Sequence, residues 1–149
     1  MNNWTFEEIQ FGTPEYDSAL RLRDKVLREP LDLEFTQEQI SQEWAVNHLV
    51  AIDPAGIIRG VLILQSQDAN GTQVKMRQVA VDPNIQSQGI GSNLVKFSEA
   101  YAKINGAQKF VLNARTTAVK FYKKLGYKTQ GKEFEEVGIP HYKMTKDLI

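Results

Sequence analysis

The sequence predicts an α/β fold: a mixed sheet with helices on both faces. Three observations predict it. Strand-like and helix-like segments alternate in the order strand, two helices, three strands, helix, strand, helix, two strands. Gln73–Val81 and the strand-like segment 109–113 are joined through an amphipathic helix, a connection that makes two strands parallel. The three segments 48–52, 57–65 and 73–81, and likewise the last two strands, follow one another through short turns carrying Gly, Asp or Asn, the connection of antiparallel pairs.

Residues 4–11 carry aromatic and β-branched side chains and read as the first strand. Thr13 can cap the next helix and Pro14 suits its first position. That helix is expected to run to about Leu27, with Leu20, Leu22, Val26 and Leu27 inward and Arg21, Arg23 and Lys25 in water. Thr36 with Gln39 three residues on has the form of a capping box, so a short helix follows to about Trp44. Residues 48–52 form an apolar run closed by Asp53-Pro54-Ala55-Gly56, and 57–65 returns as its hairpin partner. Asn70-Gly71 marks the next hairpin turn, into Gln73–Val81. That strand alternates first, Val74, Met76 and Gln78 against Lys75 and Arg77, and then becomes apolar on both faces at Val79-Ala80-Val81.

Ile90, Leu94, Phe97, Tyr101 and Ile104 recur at spacings of four and three, a helical stripe for packing on a sheet. Asn105-Gly106 ends that helix. Residues 109–113 read as a short buried strand, and Thr116 or Thr117 as the cap of a helix through Leu125, stopped by Gly126. A strand from Tyr127, a turn at Gly138 and a last strand over 139–144 complete the chain. No internal repeat or linker divides it, so residues 1–149 are expected to be one domain.

Composition removes several function classes. Eighteen basic and eighteen acidic residues give a formal net charge of +0, which removes the general argument for nucleic acid or an anionic membrane as partner. The absence of cysteine excludes disulfides, thiolate metal sites and a cysteine nucleophile. With only His48 and His141, no multi-histidine metal site is expected. No apolar run approaches the ~20 residues that span a bilayer, and the first residues lack the basic and apolar regions of a signal peptide, so a cytoplasmic protein is the expectation.

The most informative stretch is Val79 to Ser92. A strand turns at Asp82-Pro83, passes a polar loop with Gly89 and Gly91, and enters a helix. The first amides of a helix have no intrahelical partner and carry the positive end of its dipole, and glycines let the main chain approach a phosphate. Two glycines alone fit an ordinary strand–turn–helix connection equally well.

The wider context decides. Gln86-Ser87-Gln88-Gly89-Ile90-Gly91 resembles the Q/R-x-x-G-x-G/A acetyl-CoA motif of the GNAT superfamily, the GCN5-related N-acetyltransferases. Ala118 to Tyr127 resembles that family's A-x-x-x-Y-x-x-x-G-F/Y segment, and the order of elements agrees along nearly the whole chain. The ending Gly138-Ile139-Pro140-His141-Tyr142-Lys143-Met144 is similar to the small bacterial ElaA-type branch. The resemblance implies a mostly antiparallel sheet with a parallel, splayed central strand pair and a single acetyltransferase domain. It implies acetyl-CoA as co-substrate, no metal, and direct transfer of the acetyl group to a primary amine of a small molecule or peptide.

The resemblance also distributes roles. Main-chain groups of Val79, Ala80 and Val81 would pair with the pantetheine arm, and an amide near Val79 would polarise the thioester carbonyl. The amides of Gln86, Ser87, Gln88, Gly89, Ile90, Gly91 and Ser92 would hold the pyrophosphate. Gln88 stands where many members carry Arg or Lys, so binding would lean on amides and the helix dipole. Asn113 would hydrogen-bond pantetheine, and Phe121 would pack beside the cofactor. Tyr122 would be the general acid that protonates the departing CoA thiolate. Arg115 stands where many members carry Asn, which puts a copy of that contact in doubt. Lys123 and Lys124 are expected in solvent.

Proton removal from the incoming amine is open. His141, at the start of the last strand, leads the weaker candidates, followed by Glu34 and the group Glu133, Glu135 and Glu136. His48 reads as structural. Two other functions compete. One is a non-catalytic acyl-CoA sensor of the same fold. The other is a nucleotide module, which would need a Walker lysine or a complete G-x-G-x-x-G; Gly91-Ser92-Asn93-Leu94 supplies neither. An exposed edge strand would suit a homodimer.

Overall fold

The structure is a computed structural model that describes residues 3–31, 33 and 35–148, with the main chain alone for Gln86 and Ser87. Seven strands form one sheet in the order β1-β2-β3-β4-β5-β7-β6. They are β1 (Thr5–Ile9), β2 (Asn47–Ile52), β3 (Ile58–Ser66), β4 (Gln73–Val81), β5 (Lys109–Arg115), β6 (Lys128–Glu136) and β7 (Ile139–Asp147). The helices are α1 (Pro14–Arg23), α2 (Gln37–Ser41), α3 (Ile90–Ile104) and α4 (Val119–Lys124). The mixed α/β class expected from the sequence is therefore observed, with one parallel pair, β4 with β5, among antiparallel ones. No helix among the described residues is long and apolar enough to cross a membrane. The chain packs as two compact units, 1–65 with 78–98, and 66–77 with 99–149.

In the first unit, β1 and β3 flank β2, with Val50 opposite Val61 and Ala51 opposite Gly60. Adjacent strand residues face opposite ways. Val50 and Val61 join a core with Tyr16, Ala19 and Leu22 of α1. Gly60 faces the other way, where a Cβ would meet the Leu94 side chain at 3.3 Å and Ile90 at 3.7 Å, so the start of α3 lies close on the sheet because this position has no side chain. Phe6, opposite Ala51 on that face, meets the ring of Phe97 at 6.0 Å. Helices thus cover both faces here. Each fully buried residue such as Leu94 contributes roughly 1.5–3 kcal/mol to that packing.

Thr13 caps α1 by accepting from the Tyr16 amide, and Pro14 starts it, as the sequence predicts. Past Arg23 the helix widens into a π turn, Asp24–Arg28, and closes in a 3-10 turn, Glu29–Leu31. Thr36 and Gln39 form the capping box of α2. Arg23, expected in water, is 2% exposed. It makes a bidentate ion pair with Glu43, at 2.7 and 2.6 Å, and stacks on Phe35. A buried cation needs such a partner. Glu43 lies twenty residues along the chain, so no local pattern shows it.

In the second unit β4 pairs with β5 over Gln73–Lys75 against Lys109–Val111. The described register stops there, although β4 runs on to Val81 and β5 to Arg115. β7 lies between β5 and β6, antiparallel to both. The stripe of α3 differs at its end: Ile104 is 87% exposed, and Ala102, about one turn past Ser98, is buried instead. Gly106, at φ +96°, turns the chain so that Ala107 closes on the Ala102 carbonyl and is itself buried. Neither Thr116 nor Thr117 caps α4. Both lie in a 3-10 turn, Thr116–Ala118, and Ala118 stands at the N-cap without a side-chain bond.

Candidate active site

The loop expected to hold a phosphate is built from main chain. Asp82 caps a 3-10 turn, Pro83–Gln88, by accepting from the Asn84 amide at 2.9 Å. Gly89 closes that turn in the left-handed conformation, φ +78°, where a side chain would be strained. Its carbonyl accepts the first helical bond of α3, from Asn93 at 3.1 Å. The amides of Ile90, Gly91 and Ser92 therefore occupy the first turn of a fifteen-residue helix, where the ladder gives them no acceptor. Gln88 and Gly89 are exposed, and the stretch 86–92 contains no basic residue. The side chains of Gln86 and Ser87 lie outside the described part of the structure.

The loop is anchored by charges. Arg59 of β3 bonds Asp53 at 2.9 Å and Asp82 at 2.8 Å. Asp53 also accepts from the amides of Ala55 and Ile57. The Arg59 guanidinium, followed by the Ile57 amide, holds Asp53 below the usual carboxylate range. The Asn84 amide does the same for Asp82 and, with Arg59, outweighs burial.

Just before the loop, Gln78 takes φ +54° in the middle of β4. A non-glycine residue there costs on the order of 1–3 kcal/mol. Its side-chain amide oxygen is buried with no hydrogen-bond partner among the described residues. Val79 and Val81 are half-buried and Ala80 points into the core, so the expectation of two equally apolar faces holds at Ala80 alone.

Tyr122 lies on α4, 7% exposed, between the edges of two rings: Phe121 at 5.0 Å and Tyr127 at 5.7 Å. Its hydroxyl has no hydrogen-bond partner among the described residues. Burial pushes its phenol well above the ordinary value, so the proton stays on. Tyr127 is fixed in turn. Its hydroxyl donates to Glu99 at 2.8 Å, and Lys146 bonds both Glu99 at 2.9 Å and the Leu125 carbonyl at 2.7 Å. Burial, followed by the Glu99 carboxylate, raises the Tyr127 phenol too. Lys123 and Lys124 are exposed.

Asn113 and His141 come together around Glu136, where β5 ends, β7 begins and β6 ends. Asn113 donates to one Glu136 oxygen at 3.4 Å, and His141 Nε2 lies 3.5 Å from the other. His141 is buried and stacks on Phe134. Arg115 stands opposite His141 in the ladder and is half-buried. Glu133 and Glu135 are exposed, and Glu34 lies outside the described residues. No group of three or more His, Asp and Glu side chains among the described residues could hold a metal ion.

The acetyltransferase (GNAT) domain profile matches residues 20–148. The chain belongs to the GNAT acetyltransferase family. YjcF, an uncharacterized N-acetyltransferase of Bacillus subtilis, is 35% identical over 133 residues, 87% of this chain and 90% of the relative. Two solved structures share the GNAT fold with it. An aminoglycoside 6'-N-acetyltransferase complexed with coenzyme A superposes with a TM-score of 0.80 at 18% identity, covering 97% of each chain. Escherichia coli ElaA superposes with a TM-score of 0.80 at 16% identity, over 96% of this chain and 99% of that one. These two likenesses are of fold, ElaA's included. Family membership gives the reaction class, N-acetyl transfer from acetyl-CoA.

Within this GNAT chain, sequence reasoning missed two groups of residues. The Arg59 bridge was invisible because its partners lie 6 and 23 residues away. The Arg23–Glu43 pair also draws in Tyr16, which donates to Glu43 at 2.7 Å, and His48, whose Nε2 meets the Glu43 carbonyl at 2.9 Å. Burial pushes Glu43 up, but the hydrogen bonds from Arg23 and Tyr16 prevail and hold it low. His48 is structural, as expected, and burial lowers it. Gln78 did leave a signal: a polar side chain on the face that buries Val74 and Met76.

Proposed function

We propose that residues 1–149 act as one acetyltransferase domain that moves the acetyl group of acetyl-CoA directly to a primary amine of a small molecule or peptide. Bound acetyl-CoA would supply an activated thioester with a thiolate leaving group. The amides from Gln86 to Ser92 hold the pyrophosphate. Support comes from the left-handed Gly89 and the first turn of α3, whose N–H groups have no acceptor within the helix. Val79 and Val81 offer main-chain groups to pantetheine, and Ala80 keeps that segment seated in the core. The partnerless Gln78 oxygen beside them suits an amide donor of the same arm. Asn113, whose amide nitrogen is taken up by Glu136, offers its oxygen in the same way. Phe121 packs against Tyr122 and limits water there.

Tyr122 is the general acid, and the burial of its side chain, which keeps the phenol protonated, is the observation that carries the catalytic reading. A raised phenol gives up its proton only to a strong base. The same exclusion of water that raises the phenol also raises a thiolate, which keeps the two matched. His141 takes the proton of the incoming amine.

A thermal-shift titration followed by a CoA-release assay over amines, amino acids, polyamines and peptides tests the proposal. Saturating acetyl-CoA is expected to raise the melting temperature, and at least one amine to release CoA thiol. No thermal shift at saturation would sink the proposal. A shift without thiol release from any amine would describe a sensor.

A further inference from the structure

Among the described residues, Arg115 is a cation without a counterion. It ends β5 opposite His141, with Asn113 two residues back and Lys143 opposite that. Facing residues of an antiparallel pair share one face of the sheet, and so do residues two apart along a strand. These four side chains therefore leave the sheet on the same side. Phe134 and Glu136 of β6 join them, because Phe134 stands opposite His141. Arg115 is half-buried, yet it makes no ion pair or hydrogen bond among the described residues. A charge drawn out of water ordinarily finds a partner. Arg23 does so with Glu43, and Arg59 with Asp53 and Asp82. Glu136, the carboxylate that shares this face, meets Asn113 at 3.4 Å and His141 at 3.5 Å instead. Lys143 adds a second positive charge on the same side. Two cations against one carboxylate leave room for a single negative charge, that of a carboxylate and not of a phosphate dianion.

We propose that Arg115 sets acceptor specificity: its guanidinium holds the carboxylate of the acceptor, so the amine that is acetylated belongs to an amino acid. The inference rests on the acetyl-transfer reading above, in which His141 takes the proton of the amine, and it names the acceptor class. Facing residues of an antiparallel pair have Cα atoms only about 4.5–5.5 Å apart. One small molecule can therefore place its amine at the imidazole and its carboxylate on the guanidinium. The planar fork donates two parallel N–H bonds to the two carboxylate oxygens, a match that an ammonium does not offer. No bond is made or broken at Arg115. It holds the acceptor equally before and during transfer, so its loss raises KM and leaves kcat largely in place.

The test is a CoA-release assay with acetyl-CoA and matched acceptors. Each protein amino acid, β-alanine and γ-aminobutyrate is set against the amine left when its carboxylate is removed. The proteins are the wild type, Arg115→Gln and Arg115→Lys, each checked for an unchanged melting temperature and an unchanged acetyl-CoA thermal shift. The wild type is expected to favour at least one amino acid over its matched amine by tenfold or more in kcat/KM, about the least a charged hydrogen bond contributes. Arg115→Gln is expected to shrink that preference about thirtyfold, through KM. Arg115→Lys, which keeps the charge without the fork, is expected to recover part of it. An arginine that only braced the ladder would lower every acceptor alike and leave the preference intact. That result overturns the inference, and so does a wild type that prefers the matched amines or treats the two sets equally. Loss of the acetyl-CoA shift in a folded Arg115→Gln assigns the guanidinium to the cofactor and overturns it too. If Arg115→Gln does not fold, the wild-type preference and Arg115→Lys decide. Transfer to none of the acceptors while acetyl-CoA binds overturns the inference, whereas failure to bind acetyl-CoA at all removes the acetyl-transfer reading itself.

Discussion

The loop from Asp82 to Ser92 and the surroundings of Tyr122 solve opposite problems. The loop is exposed at Pro83, Asn84, Gln88 and Gly89, and is held by an ion-pair bridge at its edge, Asp53–Arg59–Asp82. Tyr122 is buried, made of side chains, and held by ring edges backed by Glu99 and Lys146. In the roles proposed for them, an anion-binding loop stays open to a charged ligand and takes its rigidity from turn geometry, while a proton donor works away from water and takes its rigidity from packing. The difference teaches where each part is vulnerable: the loop to changes of backbone freedom, the tyrosine to changes of a single atom.

Tyr122→Phe is the sharpest way to separate the two. It deletes one oxygen that has no protein partner, so the fold is expected to persist. Turnover at saturating substrates should fall about a hundredfold, in line with loss of a general acid, while calorimetry shows acetyl-CoA affinity nearly unchanged. Equal loss of affinity and turnover would make the tyrosine a packing residue. Gly89→Ala attacks the loop in its own terms. An alanine at φ +78° is strained by roughly 1–2 kcal/mol, so acetyl-CoA should bind about tenfold more weakly, with turnover at saturation little altered. Asp82→Asn keeps a capping oxygen but removes the carboxylate charge that faces Arg59, and a loss of affinity of about twofold to threefold is expected in the same titration.

The smallest effect is a difference in pH response. Asp53 and Asp82 are held below the ordinary carboxylate value of 3.8, so folded they bind fewer protons than unfolded. Their contribution is complete above pH 3.8 and is lost as pH falls through the lower folded values. Tyr122 and Tyr127 are raised above the ordinary 10.0, so the unfolded chain loses their protons first. Their contribution is complete below pH 10 and is lost as pH rises beyond it. Circular dichroism at the two extremes should find the acid slope reduced in Asp82→Asn and the alkaline slope reduced in Tyr122→Phe, each variant leaving the other limb alone.

Legibility followed the same division. The loop could be read because its signals are local: Asp82-Pro83, two glycines and the onset of an amphipathic helix lie within fourteen residues. The capping box of α2 and the limits of β4 were readable for the same reason. What escaped depends on distant partners. Arg23 looks like a wet helical residue until Glu43 folds against it. Glu136 looks like one of three equivalent acids until Asn113 and His141 close on its two oxygens. Ile104 obeys the helical period, but the burial ends at Ala102, two residues before the helix does. Periodicity says which side of a helix is apolar and not how far along the sheet extends beneath it.

The place of β7 has a consequence for how the chain is made. It is synthesised after β5 and β6, yet it lies between them and pairs with both. Until residues 139–147 have emerged from the ribosome, β5 and β6 each lack that partner, and edges of this kind invite pairing with other chains. His141 and Lys146 arrive on the same strand. The last step that closes the ladder therefore also delivers the imidazole to Glu136 and the ammonium to Glu99.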